Sequence, residues 1–243
     1  MPSERLSRFL SRSGIASRRK CDAIIKNGRV KVNNNIVLES FYQVNTNYDT
    51  VTLDNCEIKL NTKLIYIALY KPNRYLSDLV PEGKCHVART LIPIDSYLFP
   101  IGRLDYNSEG LMLFSNDGNL ANKIMHPRYG IDKEYLVKLK GSLSEELLNN
   151  VTKGITIDGI PYRVTLIEFI KASLSNSWYR IILQEGKNRM IRKIGMKIKH
   201  PVLKLIRVRI GPIKLGSLKA GEYRYLSERE KKDLLKLSQN NIS

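Results

Sequence analysis

The sequence predicts an α+β fold in two parts, a small N-terminal unit of helices and short strands followed by a larger, strand-rich domain. Three observations carry that prediction. Apolar residues recur at helical spacing between Arg5 and Lys26, a polar stretch interrupts the chain near residue 60, and short alternating runs outnumber helical ones beyond it.

Taken in order, Leu6, Phe9 and Leu10 fall on one face of a first helix. Ser17 is placed to cap a second helix that turns Cys21, Ile24 and Ile25 inward, and Gly28 ends it. Arg29-Val30-Lys31-Val32 then alternates as a strand does, with Val51-Thr52-Leu53 as its expected partner. The polar stretch Ile58-Lys59-Leu60-Asn61-Thr62-Lys63 marks a boundary, giving domains over residues 3–60 and 63–238. Past it, an apolar run covers 64–70, and Leu111-Met112-Leu113-Phe114 reads as a buried strand. Asp117-Gly118 makes a turn from that strand into a helix. Residues 135–139 alternate, Asp158-Gly159 forms a hairpin turn between Ile155 and Val164, and 178–183 and 203–210 supply further strands. Helices are expected over 144–153, closed by Gly154, and from Ser227 onward, where Glu230 completes a capping box. No internal repeat or low-complexity tract is present.

Charge narrows the partners. Lys+Arg number 41 against 23 Asp+Glu, a formal net charge of +18. Such an excess favours a polyanion, either nucleic acid or an acidic membrane surface. Within residues 1–31, Arg5, Arg8, Arg12, Arg18, Arg19, Lys20, Lys26, Arg29 and Lys31 face only Glu4 and Asp22. Narrow apolar stripes flanked by this much positive charge suggest a phosphate-binding surface, against the plainer reading of a solvated helix face. A membrane-surface protein would need an amphipathic helix with a wide apolar face, which the first helix lacks. No window reaches the roughly 18 apolar residues of a membrane span. The Arg- and Ser-rich opening has a targeting-segment alternative, but the same residues read well as folded structure. The three cysteines (Cys21, Cys56, Cys85) and three histidines (His86, His126, His200) lie far apart, with no disulfide framework and no metal-ligand spacing. That usage suits a reducing cytoplasm.

The chemistry is bounded by elimination. No P-loop, dinucleotide-binding glycine fingerprint or serine nucleophile elbow occurs, which leaves carboxylate, tyrosine and basic side chains. Pro100-Ile101-Gly102-Arg103-Leu104-Asp105-Tyr106-Asn107-Ser108-Glu109-Gly110-Leu111 stands out, because glycines bracket an acidic loop that runs directly into an apolar strand. A carboxylate on a short loop between two strands is rigidly aimed, as catalysis requires. By itself the segment reads equally well as a turn capped by an aspartate.

Gly102-Arg103-Leu104-Asp105 resembles the catalytic signature of the RsuA/RluB family of ribosomal-RNA pseudouridine synthases. The resemblance continues through Ser115-Asn116-Asp117-Gly118, Lys133-Glu134-Tyr135-Leu136-Val137 and Glu185-Gly186-Lys187-Asn188-Arg189-Met190-Ile191-Arg192-Lys193, and ends near Gly221-Glu222. The N-terminal unit resembles the S-four-type RNA-binding domain that members of this family carry. Together these cover nearly the whole chain. The resemblance implies a catalytic domain built on a mixed, mainly antiparallel sheet, with the cleft across it.

It also implies roles. Asp105 matches the catalytic aspartate, which acts while uracil is detached from its ribose, turned and rejoined through C5. Attack on the base, attack on the sugar and proton abstraction all stay open. Arg192 matches the basic partner of that carboxylate, with a phosphate contact as the plainer role. Tyr135 matches the tyrosine that stacks on the target base and whose hydroxyl can serve in removing the C5 proton, although tyrosine in an alternating strand is often core. Arg103 matches the position that fills the gap left by the extruded base, with a structural arginine as the plainer role. Lys187, Arg189 and Lys193, with Lys197 and Lys199, surround an apolar stripe of Ile191, Ile194 and Ile198 and are expected to face RNA. Leu205 is expected as core in a terminal strand. The departures are Met190, where many relatives carry a polar residue, and the Asn107-Ser108-Glu109 variant of the loop.

The resemblance implies an enzyme that acts on ribosomal RNA, free or in an assembling subunit, without metal, nucleotide or organic cofactor; a monomer with no membrane partner is the accompanying expectation. Ala16-Ser17-Arg18-Arg19-Lys20 and Lys123-Ile124-Met125-His126-Pro127 favour 23S over 16S rRNA. The rival from another class is a non-catalytic RNA-binding ribosome-assembly factor that kept the fold.

Overall fold

The structure is a computed structural model that describes residues 3–60 and 63–240. Asn61 and Thr62, in the polar stretch expected to divide the domains, lie outside the described residues. The chain forms two compact units. One runs to Ile65 and takes in Ile94–Leu98 and Asn116–Gly118, and the other holds Tyr66–Pro93, Phe99–Ser115 and the chain from Asn119 onward. The two short excursions into the first unit leave no mark in the polar pattern that guided the sequence division.

The first unit begins with β1 (Ser3–Arg5), α1 (Leu6–Arg12) and α2 (Arg18–Lys26). Leu6, Phe9 and Leu10 from α1 and Cys21 and Ile25 from α2 are buried together, as their spacing predicts, while Ile24 is only partly covered. The Ser17 hydroxyl accepts from the Lys20 N–H at 3.3 Å, which satisfies one of the free donors at the start of α2. Gly28 follows the helix in the left-handed region, φ 70°. Then come β2 (Val30–Val32), β3 (Asn35–Ile36), β4 (Gln43–Asn45), β5 (Val51–Leu53) and β6 (Cys56–Glu57). β2 pairs with β5 as expected, within the order β3-β2-β5-β6, and β1 pairs with β4. Asn33-Asn34 and Asp54-Asn55 adopt positive φ in succession, which two-residue hairpin turns demand and which these short side chains tolerate.

The second unit contains β7 (Tyr66–Lys71), β8 (Tyr75–Leu76), β9 (His86–Val87), β10 (Phe99–Ile101), β11 (Glu109–Ser115), all but the first residue of α3 (Gly118–Met125), β12 (Lys133–Lys140) and α4 (Glu145–Lys153). β13 (Ile155–Ile157), β14 (Ile160–Tyr162), β15 (Leu166–Ser173), β16 (Asn176–Leu183), α5 (Met190–Lys197), β17 (Val202–Ile210), β18 (Ile213–Lys214), β19 (Tyr223–Tyr225) and α6 (Glu228–Asn240) complete it. The main sheet has the order β15-β16-β12-β17-β11-β7-β19, with β10 on β11 and β18 on β17. Its pairings are antiparallel except β11 with β17, so the sheet is mixed and mainly antiparallel. α3 and α6 pack Leu120, Ile124 and Leu234 against Leu111, Leu113 and Ile210 of the sheet. Ser227 and Glu230 exchange hydrogen bonds of 2.9 and 3.2 Å at the start of α6, the expected capping box. Asp158 and Gly159, with φ 51° and 73°, turn β13 into β14.

One expectation is corrected. The 203–210 strand, β17, is not terminal but lies inside the sheet between β12 and β11. Its parallel pairing with β11 depends on Gly110, which lies opposite Arg207. A Cβ on Gly110 would stand 2.3 Å from the Arg207 carbonyl oxygen, so only glycine admits this approach.

Candidate active site

The proposed catalytic loop is the connection between β10 and β11, whose antiparallel register pairs Phe99 with Ser115 and Ile101 with Leu113. Gly102 opens it at φ 80°, a conformation that L side chains rarely take. Asp105 lies on this loop, partly exposed. Arg192, on the first turn of α5, reaches across to it, with Nε 3.5 Å from the Asp105 carboxylate. Arg192 Nη2 donates to the Asn107 carbonyl at 2.7 Å and to the Ser108 hydroxyl at 3.1 Å. One planar guanidinium therefore spans the loop from Asp105 to the buried Ser108, a task that suits arginine's fixed fork of donors. Burial lowers the Arg192 pKa from its ordinary value, and the Asp105 charge opposes that shift.

The pair opens onto a cleft of about 520 Å³ lined by Asp105, Tyr135, Arg192, Leu205 and Arg207 among others. Tyr135 stands in β12 opposite Ile181 of β16 and Arg207 of β17, with 8% of its surface exposed. Leu205 is buried as expected and also lines the cleft. Charge in the cleft is mostly positive, with Arg103, Lys133, Lys187, Arg189, Arg192 and Arg207 against Asp105 and Glu185. Burial pushes the Lys133 ammonium down to about 8, the nearby Arg207 charge adds to the shift, and Asp132 opposes it.

The other expected residues divide. Arg103 is exposed at the cleft and pairs with Asp78 at 2.9 Å. Lys187 and Arg189 line the cleft, with Lys187 also bonded to Glu185 at 2.9 Å. Lys193 does not line it. Its ammonium lies 5.8 Å from the Tyr162 ring centroid and 3.3 Å from the Tyr162 hydroxyl. Within the N-terminal unit, Arg5, Arg18, Arg19 and Lys20 are exposed, whereas Arg8 and Arg12 pair with the buried Glu4 carboxylate at 3.2 and 2.6 Å. Met190 is buried at the cleft.

Sequence reasoning passed over Ser108, Lys133 and Arg207, all of which line the cleft. The only local signal for Arg207 was a cation alternating with apolar neighbours in a strand, a pattern that usually marks a solvent-facing position. Among the described residues, no three or more His, Cys, Asp or Glu side chains come together as a metal site, and no helix is long and apolar enough to cross a membrane.

Comparison with known proteins identifies the family. The family model for RNA pseudouridylate synthase matches residues 65–195, which include the Asp105 loop, Tyr135 and Arg192. The chain belongs to the RNA pseudouridylate synthase family. The S4 domain model matches residues 4–49 of the same enzyme. The synthase is 38% identical to an uncharacterized RNA pseudouridine synthase of Aquifex aeolicus, over 96% of this chain and 94% of that one. It is 36% identical to the ribosomal large subunit pseudouridine synthase B of Bacillus subtilis, over 97% of both chains. A crystal structure of a pseudouridylate synthase shares the fold of the enzyme, with a TM-score of 0.67 and 24% identity over 95% of this chain and 99% of that one.

Proposed function

We propose that this RNA pseudouridine synthase isomerises a uridine of large-subunit (23S) ribosomal RNA in the cytoplasm, with Asp105 as the reacting carboxylate. The observation that carries the reading is the Asp105–Arg192 pair sharing one cationic cleft with Tyr135. The reaction breaks the bond between N1 and the sugar C1′ and joins C5 to C1′. The C5 proton leaves and N1 gains one, so atoms balance without a second reagent. Each route to this outcome needs a carboxylate against the extruded nucleoside, and Asp105 is the carboxylate on the loop that Arg192 spans. Tyr135 supplies a ring for stacking and a hydroxyl near C5, and Arg103, exposed at the rim, occupies the space the base vacates. Lys187 and Arg189 meet the phosphates beside the target. The large subunit is favoured because the Bacillus subtilis relative is named for it.

Residues 3–60 form the docking domain in this reading. Arg18, Arg19 and Lys20 occupy the exposed first turn of α2, where no acidic residue stands. Cations there oppose the helix dipole, a small cost in stability that a phosphate contact offsets. Neutralising all three is expected to weaken RNA binding and to reduce the salt dependence of affinity by about 0.9 in log–log slope for each duplex phosphate left without its cation. Titrations at several salt concentrations read this directly, and an unchanged slope assigns the surface to solvent. The function itself is tested by mapping pseudouridines in ribosomal RNA from cells with and without the gene. Loss of one 23S site is expected. Loss of a 16S site moves the substrate to the small subunit, and an unchanged map in both RNAs removes the reading.

A further inference from the structure

Catalysis by a loop carboxylate demands a loop that does not wander. Displacement of a reacting group by about 1 Å can cost on the order of 100-fold in rate. The Asp105 loop is held from three sides. Arg192 binds its far half through Asn107 and Ser108. The other two holds come from residues that the reading above leaves without a role, Ser77 and Arg207.

Ser77 follows β8 and is 3% exposed. Its hydroxyl donates to the Leu104 carbonyl at 2.6 Å and accepts from the Leu104 N–H at 3.0 Å. Both backbone groups of the residue before Asp105 are thus satisfied by one buried oxygen. The turn that presents Ser77 is itself anchored, because the fully buried Lys71 donates to the carbonyls of Pro72 and Tyr75 at 2.9 and 2.7 Å. Next to Ser77, Asp78 takes the Arg103 guanidinium at 2.9 Å.

Arg207 works from beneath. It is 3% exposed, and its Nε donates to the Leu111 carbonyl at 2.7 Å while Nη1 donates to the Arg103 carbonyl at 3.3 Å. Those carbonyls flank the loop, one two residues before Asp105 and the other in the strand that follows. A rigid guanidinium bridging both fixes the separation of the loop's ends. Burying a guanidinium costs desolvation energy, which the bonds from Nε and Nη1 offset only in part, because the buried Nη2 has no hydrogen-bond partner among the described residues.

We propose that Ser77 and Arg207 are positioning residues for the reaction, which clamp the backbone on either side of Asp105 and so fix where its carboxylate meets the substrate. The inference rests on Asp105 as the reacting group. Neither side chain needs to touch the nucleoside.

The test uses the full chain as wild type, Ser77→Ala and Arg207→Lys, with in-vitro transcribed 23S rRNA as the probe. Two readouts are taken well below each protein's unfolding temperature: amide hydrogen exchange over residues 103–108, and the single-turnover rate of pseudouridine formation with enzyme in excess. Ser77→Ala removes one oxygen and leaves the surroundings in place. Arg207→Lys keeps the charge but replaces the planar fork, whose Nε and Nη1 reach the two carbonyls separately, with a single nitrogen on a flexible stem, so it loosens the bridge and serves where the first variant folds poorly. Both are expected to lose exchange protection in the loop and to slow the single-turnover rate by about 10- to 100-fold, with the dissociation constant for RNA within about twofold of wild type. Ser77→Thr, which retains the hydroxyl, is expected to recover most of the rate. A purely structural role predicts lower thermal stability with an undiminished rate for the folded fraction, and that result overturns the proposal. Unchanged loop protection in the folded variants overturns it as well. Should wild type itself bind the RNA and form no pseudouridine, the functional reading fails, and the exchange data still decide whether the clamp exists.

Discussion

Asp105→Asn is expected to abolish isomerisation while RNA affinity stays close to that of wild type. The substitution changes shape very little. An amide can occupy the same loop position, and Arg192 keeps its bonds to Asn107 and Ser108, so the loop retains most of its support. What disappears is the negative charge and the nucleophilic oxygen pair. An amide neither attacks carbon nor balances positive charge that develops on the sugar, so every route open to the carboxylate closes together. Removing a reacting group of this kind typically costs on the order of 10⁴-fold or more in rate. Release of tritium from RNA labelled at C5 of uridine, beside a binding titration, measures both quantities. Turnover within about tenfold of wild type assigns the chemistry to another group. Binding that fails along with activity instead makes Asp105 a structural residue.

The second large effect is on stability. Gly110→Ala is expected to lower the unfolding temperature by roughly 10 °C or more, which corresponds to a few kcal/mol for a domain of this size. Two penalties act at once. Gly110 has φ 109°, where a side chain is strained, and the added Cβ meets the backbone of Arg207 at 2.3 Å from its oxygen and 2.6 Å from its nitrogen. Backbone atoms in the middle of a sheet cannot step aside as a flexible side chain can. Relief requires β11 and β17 to part where they run parallel, which also disturbs the Arg207 bonds at the loop's ends. Thermal unfolding followed by circular dichroism checks this, and a shift of only a degree or two means the strands separate more easily than their packing implies. By contrast, Gly102→Ala meets no neighbour within 4 Å, so its cost arises from φ alone and is expected to be smaller.

The difference between these glycines illustrates what can be read along the chain. Both sit at the edges of a conspicuous acidic loop, and the sequence marks them equally as loop glycines. Only the parallel pairing of β11 with β17 makes one of them irreplaceable. Likewise, Lys187, Arg189 and Lys193 form one basic cluster in sequence, yet the first two line the cleft and the third lies against Tyr162. Arg8 and Arg12 belong to a basic run, but the buried Glu4 draws both of them in. Charge counts report how much positive potential a segment carries. They do not report which neighbour from a distant strand or turn claims each side chain.

By itself the amino-acid sequence determined the features that depend on near neighbours. The Ser17 cap, the Ser227–Glu230 capping box, the Asp158-Gly159 hairpin and the alternating strands all arise from interactions within a few residues, and the motif around Asp105 with its ordered companions pointed to the family. Tertiary structure alone decided the place of β17 inside the sheet, the grip of Arg207 and Ser77 on the Asp105 loop, and the sharing of cleft and surface among the lysines and arginines. The reason is physical. A hydrogen bond or close backbone approach between segments far apart in the chain depends on the register of strands between them, and no local pattern of residues encodes that register.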